Sequence, residues 1–411
     1  MTSTIEDSAP VDTPEQAAFR AEVRAFLDAY AKPKRDLGPW ALNFHGDPED
    51  ARREFEEGRA WQHTRFEHGM AGFTYPREYG GQGGEPWQDR VYQEESLRYG
   101  SSSGFVNATI AMLGPTLMAF GTEEQKRTLV PRLLSAEDAW CQLFSEPGAG
   151  SDLAGLACRA VRDGDEFVVN GQKVWNSAAQ WCDHGFLLVR TNPDVPKHRG
   201  ITMLLIDMRW PGVDARPLVQ ATGAAHFNEV FLEDVRVPVA NVLGEVDGGW
   251  AAARTVLGNE AALIGGGGQR TYPNLVLLAQ MFGRSGDPVI RQALASAYSR
   301  ERLLSLMGDR ILTAVRRREP PPIDPSILKL YVTESRVRTG NLAAEIAGAN
   351  AMLTDDEVSQ WVAAEVVGRY GISIGGGTTE VQKNNLAERA LGLPREPTAD
   401  RETPWSKLLR S

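Results

Sequence analysis

CQLFSEPGAGSD (residues 141–152) and NGQKVWNSAAQ (residues 170–180) are the two stretches that decide how this chain is interpreted. The first is rich in Pro and Gly, which turn the backbone and expose its N–H groups, and Ser145 and Ser151 add two hydroxyls. Exposed backbone amides beside hydroxyls are typical of sites for phosphate and other anions. The first stretch therefore predicts a loop that contacts an anionic ligand.

The second stretch adds a large flat side chain to the same region. The dipeptide of Asn170 and Gly171 predicts a hairpin turn after a short strand, and Trp175 then precedes Ser177 by two residues. Taken alone, the first stretch is equally consistent with a plain surface turn, and Trp175 with a core aromatic. Together, small hydroxyls, amides and one indole indicate a site for a planar, hydrogen-bonding ring that carries a phosphate, and we predict a flavin dinucleotide.

Length and composition limit the class of protein. With 411 residues, of which 42% are hydrophobic, the chain can bury a large core and divide into two or three domains. The formal net charge of −10 argues against nucleic acid as a partner, because binding a phosphate backbone requires a basic surface. The sequence has no run of about eighteen apolar residues, so it predicts no membrane span.

The N-terminus and the cysteines indicate the compartment. Residues 1–16, MTSTIEDSAPVDTPEQ, lack the basic start and the apolar stretch of a secretory signal. Cys141, Cys158 and Cys182 match no paired metal-ligand spacing, and their odd number favours reduced thiols. The histidines are scattered along the chain. We therefore expect a cytoplasmic protein without a metal site.

The pattern of apolar residues changes twice along the chain. Residues 1–138 have helical periodicity, which begins with Pro14 behind a Thr13 cap. Residues 139–245 contain short β-rich runs separated by turns, and residues 246–411 return to long helical patterns. The sequence thus predicts an α+β protein of three domains: an N-terminal helical domain, a middle β-barrel or β-sandwich, and a C-terminal helical domain.

Four further motifs, in their order and spacing, resemble those of the acyl-CoA dehydrogenases, flavoenzymes that desaturate acyl-CoA thioesters. They are TYPREYGGQGGEPW (74–87), FGTEEQKRTLVPRL (120–133), FNEVFLEDVRVP (227–238) and GGGTTEVQKNNLAERALGLP (375–394). The two stretches quoted first match the same family, so the resemblance covers nearly the whole chain. It implies the same three-domain plan with a C-terminal four-helix bundle, FAD as cofactor, and assembly into tetramers.

The resemblance also implies a cofactor site. Ser145 would bind the pyrimidine end of the flavin, Trp175 would pack on the ring, Ser177 would meet its reactive N5 edge, and Ser151 would lie near phosphate or the CoA thioester. The residues implied in FAD binding are Gln142, Phe144, Ser145, Gly150, Ser151, Trp175, Ser177, Thr378 and Glu380, the last two for the adenosine half in a neighbouring subunit. The family's Arg-x-x-Phe-Gly segment is not evident, since residues 271–284 read TYPNLVLLAQMFGR. The adenine contacts therefore stay open.

The family's reaction needs a carboxylate base that removes the proton next to the thioester carbonyl. In many members this base is a Glu before Gly-Thr in the C-terminal motif, but Gly376 stands at that position. The resemblance implies that the backbone N–H there polarises the thioester carbonyl together with a ribityl hydroxyl of the flavin, and glycine keeps that N–H. A plain flexible glycine turn is the alternative.

Other family members carry the base on the first helix of the C-terminal domain, where this chain has Glu260. On a helix, Glu260 shares one face with apolar residues: Trp250, Ala253, Leu257 and Ile264. A carboxylate in an apolar face is costly unless it is paired or functional. We predict Glu260 as the catalytic base, and an ordinary solvated glutamate is the alternative.

Three functions are consistent with these residues. The first is an acyl-CoA dehydrogenase that passes electrons to an electron-transfer flavoprotein. The second is a non-catalytic partner subunit of a mixed tetramer, which Gly376 and the missing Arg-x-x-Phe-Gly segment favour and Glu260 opposes. The third is a flavin monooxygenase on the same fold, which needs no carboxylate base. The class of acyl group, whether straight, branched or steroid-type, is not predicted.

Overall fold

The computed structural model describes residues 12–34, 38–42, 47–266, 271–316, 319, 324–395, 397 and 401–408. The described residues form two compact units. The first comprises those among residues 1–36, 53–110 and 121–139, and the second those among residues 37–52, 111–120 and 140–411. Among the described residues, no helix combines the length and the apolar character needed to cross a bilayer.

The N-terminal region is helical, as the sequence predicts. Its helices are α1 (Pro14–Tyr30), α2 (Pro48–Glu67), α3 (Pro86–Ser96), α4 (Gly104–Phe120) and α5 (Glu123–Leu134). Helix α1 begins with a capping box in which the Thr13 side chain accepts from the Gln16 N–H. Val23, Phe26 and Leu27 then lie on its buried face, where they pack into the core of the first unit.

The middle region forms one seven-stranded sheet. Its strands are β1 (Trp140–Leu143), β2 (Arg159–Asp163), β3 (Glu166–Ser177), β4 (His184–Arg190), β5 (Ile201–Asp207), β6 (Val213–Leu218) and β7 (Phe227–Pro238). The order is β1-β4-β2-β3-β7-β6, with β5 paired to β4. The loop after β1 and the end of β3 therefore carry the two stretches that the sequence singles out.

The predicted hairpin turn at Asn170 and Gly171 is wrong. Strand β3 runs straight through these residues and pairs with β7 on both sides of a bulge between Val169 and Gly171. Glycine is needed there because a Cβ atom on Gly171 would lie 2.7 Å from the Sγ of Cys158. The turn between β2 and β3 lies earlier, where Gly164 has a positive φ of 62°.

The C-terminal region is again helical. Its helices are α6 (Gly249–Gly266), α7 (Tyr272–Met281), α8 (Pro288–Arg316), α9 (Pro325–Ala347), α10 (Glu357–Gly368), α11 (Gly371–Ile374) and α12 (Thr379–Asn385). Helix α9 packs against all the others of this region. The predicted order of a helical, a β and a helical region is confirmed, whereas the boundaries at 138/139 and 245/246 stay a prediction.

Candidate active site

A fully buried ion pair holds the loop that follows β1. The Lys173 side chain on β3 is 0% exposed, and its Nζ lies 2.7 Å from Oε1 of Glu146 and 3.1 Å from the carbonyl oxygen of Phe144. The Glu146 carboxylate also accepts from the N–H groups of Ala157, at 2.7 Å, and Cys158, at 2.9 Å. Because both side chains are hydrogen-bonded to each other and to the backbone, the pair ties the loop to the sheet.

Further hydrogen bonds keep the same loop against β3. The Val174 N–H donates to the Ser145 carbonyl oxygen at 2.9 Å, and Nδ2 of Asn176 donates to the Gln142 carbonyl oxygen at 2.8 Å. In the same loop, Pro147, Gly148 and Gly150 remain exposed. The loop is thus fixed at its base while its Gly-rich tip faces solvent.

Trp175 is an exposed aromatic residue in an unusual backbone conformation. Its φ is +62°, a second bulge in β3 lies between Val174 and Asn176, and 59% of its surface is exposed. The indole meets the ring of Phe227 edge-on, with centroids 5.9 Å apart. A positive φ is uncommon in a residue with a large side chain and marks positions held by their surroundings, often at functional sites.

Glu260 lies on α6 and is partly buried. Of the predicted apolar face, Ala253 is fully buried and Trp250 and Leu257 are partly buried, while the side chain of Ile264 lies outside the described ones. Val256, one turn before Glu260, is also fully buried. Burial raises the pKa of the Glu260 carboxyl, while a hydrogen bond with the Gln142 side chain and the positive charge of Lys329 lower it. A carboxyl group with a raised pKa is suited to accept a proton near neutral pH.

The glycine loop after α11 is held by two side chains. Nζ of Lys329 donates to the carbonyl oxygens of Ile372, at 2.8 Å, and Gly375, at 2.7 Å. Nε2 of Gln382 donates to the Gly376 carbonyl oxygen at 3.2 Å, and Gly376 has a φ of +67°, which favours glycine. Within the described part of the chain, no protein group accepts a hydrogen bond from the Gly376 N–H.

The structure brings some of the predicted site residues together. The side chain of Gln142 lies close enough to Glu260 to lower the pKa of its carboxyl. Lys329 bonds the glycine loop, and its positive charge acts on the same carboxyl. Phe144 is buried edge-on against Phe186 at 5.7 Å, so its backbone rather than its ring is available to a ligand. All of these residues belong to the second compact unit.

Within the described part of the chain, none of the other predicted residues makes a hydrogen bond or an ion pair with Glu260. Ser177 ends β3 and is partly buried, whereas Ser151 is exposed beside Asp152, whose carboxylate pairs with Lys197 at 2.8 Å. Thr378 caps α12, with its side chain accepting from the Val381 N–H at 3.2 Å, and Glu380 is exposed in the first turn of that helix. Their roles toward a cofactor stay predictions.

Sequence reasoning missed the residues that hold the two loops: Glu146, Lys173, Asn176 and Lys329. A signal was available for the lysines, because Lys173 in QKVW and Lys329 in ILKLYV lie in runs that otherwise predict buried structure. A lysine at such a position needs a partner. The sequence does not say which partner.

Comparison with known proteins identifies the family. The model of the N-terminal domain of acyl-CoA dehydrogenases matches residues 13–137, that of the middle domain residues 141–235, and that of the C-terminal domain residues 247–391. The acyl-CoA dehydrogenase IpdE1 of Mycobacterium tuberculosis is 38% identical over 92% of this chain and 98% of its own length. FadE29 of the same organism, also an acyl-CoA dehydrogenase, is 32% identical over 94% of this chain and 98% of its own.

Solved structures of related enzymes have the same fold. The Tcur3481-Tcur3483 steroid acyl-CoA dehydrogenase superposes with a TM-score of 0.73 at 31% identity, covering 94% of this chain and 99% of the other. The ChsE4-ChsE5 complex of Mycobacterium tuberculosis gives a TM-score of 0.71 at 29% identity, covering 94% of this chain and 100% of the other. The chain therefore belongs to the acyl-CoA dehydrogenase family of flavoprotein oxidoreductases.

Proposed function

We propose that this protein is an FAD-dependent acyl-CoA dehydrogenase that introduces an α,β double bond into an acyl-CoA thioester. The observation that carries the proposal is Glu260, a largely buried carboxyl group with a raised pKa that lies close to Gln142 at the base of the proposed flavin loop. A base on this helix supplies the carboxylate that Gly376 cannot. The resemblance noted in the sequence and the physical environment of the residue point to the same role.

Glu260 removes the proton from the carbon next to the thioester carbonyl. This proton is weakly acidic, so a base whose pKa lies near the working pH combines the ionised form with a sufficient driving force for proton transfer. Burial supplies that upward shift of the pKa of Glu260, and the charge of Lys329 limits it. FAD, when bound, would supply the acceptor for the hydride that leaves the neighbouring carbon, and an electron-transfer flavoprotein would collect the electrons.

Gly376 stabilises the negative charge that develops on the thioester oxygen. Its N–H has no protein acceptor within the described residues, and its carbonyl group is held by Gln382. A backbone N–H that is already oriented stabilises an oxyanion without reorganisation during the reaction. Many family members have a glutamate at this position. Glycine lacks that carboxylate but keeps the backbone N–H donor.

The described residues fit FAD. Trp175 presents a flat apolar ring in a strained backbone conformation, and such strain persists only where the surroundings enforce it. Asn176 next to it is buried, and its Oδ1 has no hydrogen-bond partner among the described residues. Ser145 and Ser177 are partly exposed on either side. These groups would contact the flavin, while Ser151 and the exposed Gly150 amide would contact phosphate, with Thr378 and Glu380 toward the adenosine of a neighbouring subunit's FAD.

Assembly into a tetramer, from this chain alone or with a related subunit, is part of the proposal. Helices α7 and α8 leave large apolar side chains exposed, including Met281 at 59% and Val289 at 63%, and such surface is typical of interfaces. The ChsE4-ChsE5 structure is a complex of two named chains. A monodisperse monomer that binds stoichiometric FAD would contradict the assembly. We further propose a cytoplasmic location.

Anaerobic reduction of the purified protein tests the reaction. The oxidised flavin spectrum should bleach on adding acyl-CoA without oxygen, with straight, branched and polycyclic acyl groups as the panel. The solved steroid acyl-CoA dehydrogenase among the relatives makes a polycyclic acyl group the first to try. Protein that binds FAD but is reduced by no acyl-CoA would instead be a non-catalytic partner subunit, and oxygen-dependent product formation would indicate a monooxygenase.

Glu260→Gln tests the base. The amide cannot take the proton, so flavin reduction should slow by about 10²- to 10⁴-fold with FAD content unchanged. Glu365→Gln is the matched control, because burial also raises the pKa of Glu365 while its partner is Arg336, at 3.4 Å. The control should keep the reduction rate of the wild type. A near-native rate in Glu260→Gln would remove Glu260 from the mechanism.

A further inference from the structure

Lys329 is a buried lysine that bonds backbone oxygens. It lies in the first turns of α9 and is 3% exposed. Two of its three N–H donors reach the carbonyl oxygens of Ile372 and Gly375, at the C-terminal end of α11. A cation at this end of a helix bonds carbonyl groups that the helix itself leaves unpaired. The side chain therefore ties α9 to the backbone immediately before Gly376.

Its charge has no carboxylate in direct contact. Among the described residues, no Asp or Glu oxygen lies within salt-bridge distance of the Lys329 Nζ. Burial lowers the pKa of Lys329, and the carboxyl that opposes this shift through its charge is Glu260. A buried ammonium group without a bonded counter-ion is costly. Loop attachment alone could be provided by neutral donors, so the charge itself requires an explanation.

We propose that Lys329 is a positioning residue of the dehydrogenase site: its ammonium group fixes the backbone that presents the Gly376 N–H and supplies the positive charge that faces Glu260. The inference rests on the proposed function. In this proposal, one side chain couples the backbone N–H that stabilises the thioester oxyanion to the carboxylate that removes the proton. The oxyanion donor and the base lie on different segments, and Lys329 acts on both.

Few of the described residues face Glu260. Among them, Gln142 from β1 is neutral and lies close to the carboxyl, and Lys329 from α9 is the charged group that acts on it. On α6 itself, the preceding Asn259 points its Nδ2 to the carbonyl oxygen of Met112, at 3.3 Å. Removing the positive charge of Lys329 leaves burial opposed only by Gln142, so the pKa of Glu260 should rise further.

A double-mutant cycle separates this role from simple structural support. It compares the wild type with three variants: Lys329→Met, Glu260→Gln and the double variant. The free energy of unfolding of each, with FAD bound, is measured between pH 5 and 8. The stability lost in Lys329→Met should grow as the pH rises, because a Glu260 with a still higher pKa is harder to ionise in the folded state. In the Glu260→Gln background, the same substitution should cost an amount that does not change with pH.

Kinetics supply the second readout. The rate of flavin reduction in Lys329→Met should fall at least about tenfold at neutral pH. In its pH profile, the rise in rate that follows ionisation of Glu260 should move to higher pH. Lys329→Arg keeps the charge, so the rise in its pH–rate profile should occur at the same pH as in the wild type. Lys126→Met, a surface lysine whose Nζ pairs with Glu123 at 3.2 Å, is the control that should change neither readout. Should Lys329→Met fail to fold, Lys329→Gln removes the charge and keeps a donor.

The outcomes distinguish the inference from the function on which it rests. The inference is overturned if the stability lost in Lys329→Met is the same at every pH and in both backgrounds. It is also overturned if the pH–rate profile of Lys329→Met does not shift from that of the wild type. A wild type that no acyl-CoA reduces overturns the proposed function, and the coupling in the unfolding data is then judged separately. The inference and the proposed function are both supported if the coupling between Lys329 and Glu260 in the free energy of unfolding grows with pH and the pH–rate profile shifts to higher pH.

Discussion

Two buried lysines hold the two loops of the candidate site, and they do so in different ways. Lys173 under the flavin loop bonds a carboxylate, Glu146, which is itself saturated by two backbone N–H groups. Lys329 under the glycine loop bonds two carbonyl oxygens and acts on Glu260 only through its charge. The first arrangement is a closed ion pair, and the second leaves a carboxyl group whose protonation can change.

The difference means that, on the proposals above, the same residue type serves stability in one region and chemistry in the other. A closed, fully hydrogen-bonded pair costs much to break, because the remaining charge is stranded away from water. A lysine that bonds carbonyls can be lost at a smaller cost in stability, but the neighbouring carboxyl then changes its pKa. On the proposed function, the middle region thus provides a rigid frame, and the C-terminal region provides a base whose protonation can change.

The largest effect on folding is expected from Lys173→Met. It leaves the Glu146 carboxylate buried without its counter-ion, which should lower the free energy of unfolding by about 3–5 kcal/mol. Chemical denaturation of the FAD-bound protein measures this loss. Adding Glu146→Gln should recover part of it, because the amide still accepts from one backbone N–H. A loss below about 1 kcal/mol would place the pair among ordinary surface contacts and remove the contrast.

A smaller loss is expected for Lys329→Met. The substitution leaves the carbonyl oxygens of Ile372 and Gly375 without their donor. Because Ile372 is partly exposed and Gly375 is exposed, each lost hydrogen bond should cost about 0.5–1.5 kcal/mol. Measured at pH 5 under the same conditions as Lys173→Met, the loss should be clearly the lesser of the two. An equal or greater loss would mean that both lysines are primarily structural.

Trp175→Ala should weaken FAD retention with almost no change in the stability of the apoprotein. The indole is 59% exposed, and exposed substitutions stay within about 0.5 kcal/mol. FAD release on dilution and the rise in melting temperature on adding FAD report the effect. Val161→Ala is the matched control on the same sheet, since Val161 is 58% exposed and should not alter retention. Unchanged retention in Trp175→Ala would separate the indole from the cofactor.

The pH dependence of stability gives the finest test. Burial raises the pKa of the Glu260 carboxyl above its ordinary 4.5, so the folded protein holds this proton to a higher pH than the unfolded chain does. The resulting stabilisation is complete below 4.5 and is lost as the pH rises through the folded-state pKa. Wild type should therefore lose stability relative to Glu260→Gln over this window. A constant difference would show that the pKa is not raised.

Much of the fold could be predicted from local sequence. The cap at Thr13, the two changes in apolar periodicity and the β-rich runs lead to the helical, β and helical order that the structure has. The prediction failed at Asn170 and Gly171, where a turn dipeptide lies inside a strand. Turn propensity is a short-range preference, and the pairing of ten residues of β3 with β7 on both sides of the bulges overrides it.

The candidate site could be predicted in part. Helical periodicity is enough to place Glu260 on a helix, and residue chemistry is enough to exclude the side chain of Gly376 as a base, because both are local properties. The proximity of Gln142 to Glu260, the pairing of Glu146 with Lys173 and the bonds from Lys329 to the glycine loop are visible only in the folded chain. The partner of a buried charge is brought by chain segments far apart in sequence, and their meeting depends on how the whole core packs.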